Sequence, residues 1–313
     1  MWPMAHSFTV IEAGALTEAQ GIDQPVPWWS FTKTILAAAA LVLARDGRLA
    51  LDRSVRSRPF TLRQLLRHQS GLADYGDVAA YHEAAARGDE PWPVSELSER
   101  TDARRLRYQP GQGWSYSNIG YLMVRELIEE TADEDLNTAI SRLVLRPLDI
   151  NGARIARTRA DLAEVAMGSA NSYHPGWVYH GLVVGPLRDA ALLLDRLMTG
   201  ALLPPGLLEA MGEAHPVSEP NPLRPWSRPG CRPGYGLGLM SGIASSGHKV
   251  MGHTGGGPGS VIAVYHQPDA APPFTAAAFA FGDDVGEIEK MALSPRPVSS
   301  LRLSEAPAAD GRQ

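Results

Sequence analysis

The stretch WWSFTKTILAAAALVLAR, residues 28–45, starts with two tryptophans and continues into a long apolar run. After Thr34 its residues are apolar on every side of a helix, which is typical of a helix in the centre of a protein. Asp46 and Gly47 end this pattern. Ser30 and Lys33 lie three residues apart within it, so on a helix they share one face, one turn from each other.

Lysine is rare in this chain: only Lys33, Lys249 and Lys290 occur, against 26 arginines among the 29 basic residues. Burial of Lys33 in the apolar stretch would disfavour its charged form and lower its pKa. A neutral amine within reach of the Ser30 hydroxyl is a competent general base. A Ser-x-x-Lys pair alone also fits a helix-capping serine with a lysine that extends to solvent, so that alternative stays open.

A second candidate segment, Tyr116-Ser117-Asn118, follows Pro110-Gly111-Gln112-Gly113 and opens a predicted helix. A tyrosine can exchange protons with a nearby ammonium, and an asparagine can hold a substrate amide or orient the lysine. A packed tyrosine followed by a helix-capping asparagine would explain the same residues without catalysis.

A third candidate segment, His253-Thr254-Gly255-Gly256-Gly257, ends a predicted strand. Glycines allow a substrate to approach the backbone closely. The N–H of Gly256 could join that of Ser30 as an oxyanion hole for a tetrahedral intermediate. A glycine-rich hairpin turn is the structural alternative.

The order of predicted elements indicates the fold. A strand over residues 7–13 precedes the central helix, and residues 61–216 are mostly helical. Predicted helices there cover 61–68, 118–131, 136–145, 186–198 and 205–211. Short strands follow over 235–240, 249–253, 260–266 and 274–281, then a helix over 285–293. Because strands joined by short connections pair antiparallel, we expect an α+β fold, an antiparallel sheet flanked by helices with an inserted all-helical domain.

This order also predicts the domain boundaries. Residues 1–60 and 217–293 would form one discontinuous sheet domain, and residues 61–216 a mainly helical domain. The proline-rich segment 216–233 is typical of a surface linker. Residues 294–313 have the composition of a disordered tail. A cleft between the two domains is the expected place for a site.

Together, the three segments resemble one enzyme family. Ser30-x-x-Lys33, Tyr116-x-Asn118 and His253-Thr254-Gly255 occur in the order found in class C β-lactamases, low-molecular-mass penicillin-binding proteins, D-aminopeptidases and related esterases. The flanking phrases LLRHQSGL over 65–72, Pro110-Gly111 and YGLG over 235–238 are similar too. Three ordered motifs over residues 25–285 are far more specific than any one of them.

The resemblance implies a fold and roles that agree with the pattern above. Ser30 would be acylated, Lys33 and Tyr116 would shuttle protons, and Asn118 would contact substrate. The N–H groups of Ser30 and Gly256 would form the oxyanion hole. No cofactor is implied.

Two departures from the family pattern bear on substrate and assembly. His253 stands where β-lactamases and many penicillin-binding enzymes have a lysine that helps bind a substrate carboxylate, and histidine is only partly charged near neutral pH. We therefore expect His253, Thr254, Gly255 and Gly256 to bind an ester or a peptide-like amide, with weak or no β-lactam hydrolysis. Only 29 residues precede Ser30, which is short for the family and favours either a homodimer through an incomplete sheet edge or a trimmed chain.

Composition argues against several other classes. The net charge of −5 does not favour nucleic acid as a partner. The longest apolar run, residues 35–44, is too short to span a bilayer, and no signal peptide is evident, so we expect a cytoplasmic protein without membrane association. Cys231, the only cysteine, cannot form an internal disulfide and fits a bystander thiol.

Motifs of rival enzymes are absent from the sequence. We find no Gly-x-Ser-x-Gly, no phosphate-binding Gly-x-x-x-x-Gly-Lys and no His-Glu-x-x-His, so we expect no metal site. The predicted function is a serine hydrolase that uses an acyl-enzyme on a small-molecule ester or amide. An acyltransferase with the same intermediate, or a non-catalytic binding protein of this fold, stays open.

Overall fold

The two ends of the chain meet in one antiparallel sheet. The computed structural model describes residues 6–170, 172–217 and 231–294. The sheet has eight strands in the order β2-β1-β11-β10-β9-β8-β7-β6. They are β1 (Ser7–Glu12), β2 (Ala15–Gln20), β6 (His215–Pro216), β7 (Arg232–Tyr235), β8 (Met240–Ile243), β9 (Lys249–Gly257), β10 (Ser260–Gln267) and β11 (Phe274–Phe281). This confirms the expected α+β fold.

A second sheet joins the start of the central helix to the helical region. Its three strands have the order β3-β5-β4, with β3 (Val26–Pro27), β4 (Arg154–Ala156) and β5 (Leu182–Gly185). Both pairings are antiparallel. We did not predict this small sheet, because its strands are short and lie far apart in the chain.

Helices cover both faces of the main sheet and build the inserted region. The described residues contain α1 (Thr32–Arg45), α2 (Leu62–Leu66), α3 (Ala79–Arg87), α4 (Val94–Arg100), α5 (Asn118–Ala132), α6 (Leu136–Ile140), α7 (Leu187–Met198), α8 (Pro205–Gly212) and α9 (Val285–Leu293). α6 continues into a π-helical turn over Ser141–Leu145. None of the helices in this part of the chain has the length and apolar character that a bilayer crossing requires.

The central helix α1 is buried along almost its whole length, as the apolar pattern predicts. Small side chains let neighbours approach closely. A Cβ added at Gly238 would lie 2.3 Å from the Ala37 side chain, and Gly238 also has a φ of +77°. Thr34 donates a hydrogen bond to the Gly238 carbonyl at 2.8 Å. These contacts fix α1 against the loop between β7 and β8.

One predicted strand is wrong. The pattern placed a strand over residues 235–240, whereas β7 ends at Tyr235 and β8 begins at Met240. The residues between them form a turn in which the Gly236 N–H donates to the Leu239 carbonyl at 2.8 Å. Glycine at 236 and 238 permits this reversal, and the apolar Leu237 and Leu239 that alternate with them mimic a strand pattern.

Other element predictions hold with shifted ends or lie outside the described residues. Strand β9 runs four residues past the predicted end, through the glycines. Strand β2 is not among the strands that the sequence pattern predicts. Most of the predicted linker (218–230) and of the predicted tail (295–313) lies outside the described residues. The division into two domains stays a prediction.

Candidate active site

Ser30 sits in a tight 3₁₀ turn, Trp29–Phe31, immediately before α1. The residue ahead of it, Trp29, has a φ of +39°, in the left-handed region. Such a backbone costs roughly 1–3 kcal/mol and persists only where its surroundings hold it. Here the Trp29 indole donates to the Ser260 hydroxyl at 3.1 Å, and its ring lies against Gly257. The strained turn therefore projects Ser30 in one defined direction.

Lys33 is fully buried one turn further on. Its Nζ lies 3.2 Å from Ser30 Oγ, 2.7 Å from Asn118 Oδ1 and 3.2 Å from His180 Nε2. Burial lowers the pKa of Lys33 to about 7, against the opposing effect of the Asp74 carboxylate. The amine is therefore substantially neutral near pH 7, within hydrogen-bond reach of a serine hydroxyl.

Asn118, at the start of α5, joins Lys33 to Asp74. Its side-chain Nδ2 donates to Asp74 Oδ1 at 3.0 Å, and its backbone N–H donates to the same oxygen at 3.0 Å. With the amide nitrogen held by the carboxylate, the carbonyl oxygen must face Lys33. Burial raises the pKa of Asp74, whereas hydrogen bonds from Asn118 and the charge of Lys33 lower it.

Tyr116 packs beside the lysine. The Lys33 Nζ lies 4.9 Å from the centre of the Tyr116 ring. The rings of His68 and His253 flank that of Tyr116, with centroids 4.3 Å and 6.3 Å away. The Ser117 N–H donates to His68 Nδ1 at 3.0 Å, so His68 fixes the segment that carries Tyr116. The structure thus brings Ser30, Lys33, Tyr116 and Asn118 together.

Strand β9 forms the opposite wall of the site. A Cβ added at Gly255 would lie 2.6 Å from the Ser30 backbone nitrogen, so glycine is required for this approach. Because successive strand residues face opposite sides, Thr254 points away from Ser30. Its hydroxyl donates to the buried Glu289 at 2.5 Å and contacts the Tyr265 hydroxyl at 2.7 Å.

His253 faces the same side as Gly255, but its ring is buried. Its Nδ1 donates to the Thr254 carbonyl at 2.8 Å. Its Nε2 lies 2.9 Å from the Tyr235 hydroxyl, within hydrogen-bond distance. In the structure, both ring nitrogens of His253 therefore bond to groups of the protein itself.

A cavity of about 410 Å³ opens in front of Ser30. Aromatic and small apolar groups dominate its wall. The described lining residues are Trp29, Ser30, Tyr75, Gly76, Tyr81, His82, Ala85, Ala86, Asn118, Tyr173, Val178, His180, Gly256, Gly257 and Pro258. None of them is a lysine or an arginine, so in this part of the wall nothing carries a permanent positive charge.

Sequence reasoning missed two residues of this site, Asp74 and His180. His180 is buried and Asp74 is half-buried. Each lies far along the chain from Lys33, and neither belongs to a motif with recognisable spacing. The one usable signal was the scarcity of lysine, which pointed to Lys33 but not to its partners. Across residues 6–170, 172–217 and 231–294, no three His, Cys, Asp or Glu side chains are placed to hold a metal ion.

Comparisons with known proteins agree with this fold. A family model described as "Beta-lactamase" matches residues 8–271. Lovastatin esterase of Penicillium rubens is 26% identical over 284 residues, which cover 71% of this chain and 70% of the esterase.

Solved structures extend the likeness to three dimensions. A D-stereospecific amidohydrolase from Streptomyces sp. superposes with a TM-score of 0.74 at 22% identity, over 94% of each chain. The D-amino acid amidase from Ochrobactrum anthropi SV3 gives a TM-score of 0.74 at 20% identity, over 92% of this chain and 91% of the amidase. At these identities the superpositions establish a shared fold.

Proposed function

The chain belongs to the β-lactamase family, and we propose that it is a serine hydrolase in which Ser30 forms an acyl-enzyme and Lys33 is the base. One observation carries this proposal: a fully buried amine lies 3.2 Å from the hydroxyl of a serine in a strained turn. A buried lysine with a pKa near neutrality can accept a proton at physiological pH, which an exposed lysine cannot do efficiently.

The proposed reaction has two halves. Neutral Lys33 takes the Ser30 proton while Oγ attacks the carbonyl carbon of the substrate, and the N–H groups of Ser30 and Gly256 stabilise the oxyanion. As the bond to the leaving group breaks, the proton passes by way of Lys33 and Tyr116 to the departing oxygen or nitrogen. Water then attacks the acyl-serine with the same groups acting in reverse, and Ser30 recovers its proton.

The proposed substrate is an ester or an amide without a carboxylate next to the scissile bond. The described cavity wall is aromatic and has no lysine or arginine, and the proposed substrate-contacting residue Asn118 is neutral. At the position of the lysine expected in β-lactamases, His253 is buried and held by Tyr235. A lovastatin esterase, a D-stereospecific amidohydrolase and a D-amino acid amidase are among the similar proteins, and their names support the same bond types. We expect β-lactams to be poor substrates.

The test compares the wild type with Ser30→Ala and, as a matched control, Ser98→Ala at a half-buried serine on α4 that does not line the cavity. Release of p-nitrophenol from p-nitrophenyl butyrate is measured, with intact-mass detection of a butyryl adduct after rapid acid quench. We expect the wild type and Ser98→Ala to be active and to carry the adduct, and Ser30→Ala to show neither. Equal activity in Ser30→Ala would place the nucleophile elsewhere.

The same assay separates catalysis from binding. If the wild type neither hydrolyses the ester nor forms an adduct with it or with p-nitroanilides of D-amino acids, a non-catalytic role for this fold becomes the better explanation. Nitrocefin in parallel tests the expected weakness towards β-lactams.

A further inference from the structure

His180 is the third partner of the lysine amine, and no motif of the sequence accounts for it. Building on the proposed role of Lys33 as base, we propose that His180 is a positioning residue. Together with Asn118, it orients the neutral Lys33 amine so that its lone pair faces the Ser30 hydroxyl.

The argument rests on the tetrahedral geometry of the amine nitrogen. Nζ has three directions besides its own carbon, and the structure places three groups there: Ser30 Oγ, Asn118 Oδ1 and His180 Nε2. A neutral amine has two N–H donors and one lone pair. Asn118 presents its side-chain oxygen to the amine, so that oxygen accepts a hydrogen bond from one of the two N–H groups. If His180 accepts the second, the lone pair can point only at Ser30.

The surroundings of His180 favour an acceptor at Nε2. The ring is 2% exposed, and burial together with the charge of Lys33 lowers its pKa well below the ordinary value, so the ring is neutral. Its Nδ1 lies 3.5 Å from the Tyr75 hydroxyl, which can accept a hydrogen bond. With the proton on Nδ1, the Nε2 lone pair is free to accept from Lys33.

The backbone ties His180 to the turn that carries Ser30, Trp29–Phe31. His180 lies two residues before β5, whose partner strand β3 leads directly into that turn. The Trp28 N–H donates to the Val183 carbonyl at 2.8 Å, and the Val183 N–H donates to the Thr32 hydroxyl at 3.1 Å. Residues on both sides of Ser30 are therefore bonded to the strand that follows His180.

Several titratable groups influence the Lys33 amine or the His180 ring, and they enter any pH experiment. From the elements around the pair these are His68, Asp74, Tyr75, Tyr116, Tyr121, Arg125 and His253. All of them stay in place when only residue 180 is changed. A change in the titration of Lys33 can then be assigned to the lost hydrogen bond.

The experiment uses the scarcity of lysine. Protein labelled with ¹³C-lysine gives signals from only three side chains, of which Lys249 and Lys290 are exposed and serve as internal references. The Lys33 titration and the pH profile of kcat/KM for p-nitrophenyl butyrate are measured for the wild type, His180→Phe and His180→Gln. His266→Phe is the matched control, because His266 is equally buried but lies in the main sheet and bonds to Thr275.

In His180→Phe the ammonium loses one acceptor, so the pKa of Lys33 should fall and the acidic limb of kcat/KM should move to lower pH. The plateau should drop about 10–100-fold, because the lone pair is no longer directed at Ser30. His180→Gln, whose amide oxygen can accept from Lys33, should recover most of both effects. His266→Phe should change neither.

A His180→Phe protein with an unshifted Lys33 titration, or with a plateau within twofold of the wild type, overturns the inference. If His180→Phe fails to fold, His180→Gln is the deciding variant. A loss of kcat/KM in His180→Gln as large as that in Lys33→Ala would overturn the inference. The lysine titration needs no substrate. A wild type inactive on every ester, but with the expected Lys33 shift in His180→Phe, would therefore refute the proposed function and leave the Lys33–His180 hydrogen bond standing.

Discussion

Asp74 and Asn118 are joined by three hydrogen bonds: the carboxylate accepts from the Asn118 backbone N–H and twice from the side-chain Nδ2. This pairing decides which end of the Asn118 amide meets Lys33. Through Asn118, the Asp74 carboxylate thus controls one hydrogen-bond partner of the lysine amine.

Asp74→Asn keeps the shape of the side chain and removes its charge. Because the Asp74 charge raises the pKa of Lys33, its loss should lower that pKa further and move the acidic limb of kcat/KM to lower pH. The plateau should fall about tenfold, since Asn118 is no longer held in one orientation. Asp77→Asn, in the same loop but exposed and paired with Arg107, is the control. A limb that moves to higher pH would contradict this role for Asp74.

Lys33→Arg tests whether the base must lose a proton. Arginine stays charged at every accessible pH, so we expect a loss of at least about 10³-fold in kcat/KM. In the wild type, kcat/KM should rise with pH through about 7, where Lys33 becomes neutral. Lys290→Arg, on the exposed side of α9, should keep the wild-type profile. A Lys33→Arg enzyme with more than a tenth of wild-type activity would refute the proposed base.

Lys33→Met should change how stability depends on pH. The pKa of Lys33 is about 7 in the folded protein and near 10.5 in the unfolded chain. Between these values the unfolded chain binds more protons, so the free energy of unfolding should rise with pH in the wild type. In Lys33→Met this rise between about pH 7.5 and 9.5 should be smaller. Urea unfolding at both pH values measures this change in the free energy of unfolding, with Lys290→Met as reference. An equal change in Lys33→Met and in the wild type would argue against a buried, neutralised lysine.

Gly255→Ala should abolish activity although it removes no chemical group. The added Cβ would lie 2.6 Å from the Ser30 nitrogen, so the turn Trp29–Phe31 or β9 must shift. At Gly256 the nearest atom to an added Cβ is a Val261 methyl at 3.4 Å, an ordinary contact, and the backbone N–H remains. Gly256→Ala should therefore retain at least tenfold more activity than Gly255→Ala. The kcat/KM values of the two variants are compared, and thermal unfolding checks that both are folded. Equal losses of kcat/KM would count against the close approach of Gly255 to Ser30.

The parts of the fold that sequence alone predicts are those with a strong local pattern. Helix α1 follows from an apolar run with a polar end, and strand β11 and helix α9 have the predicted boundaries. Strand β2 could not be predicted from the sequence, because it lies at the sheet edge and its exposed residues show no apolar alternation. Strands β1 and β2 pair as a hairpin at that edge, and a homodimer through it stays a prediction.

The site divides in the same way. Ser30, Lys33, Tyr116 and Asn118 could be predicted because each belongs to a motif with fixed spacing. Asp74 and His180 could not, because their roles depend on contacts made across 44 and 147 residues of chain. The orientation of Thr254 could be predicted only with the register of β9 known. In the structure its hydroxyl bonds to Glu289 and does not face the cavity.

The distribution of lysine has a practical consequence for handling the protein. Among lysine side chains, amine-directed coupling reagents would find Lys249 and Lys290 at the surface, while Lys33 is shielded by the fold. Attachment to a support or a dye through lysine would thus be confined to two defined points, the start of β9 and the last turns of α9. A coupled preparation should keep the Lys33 amine unmodified.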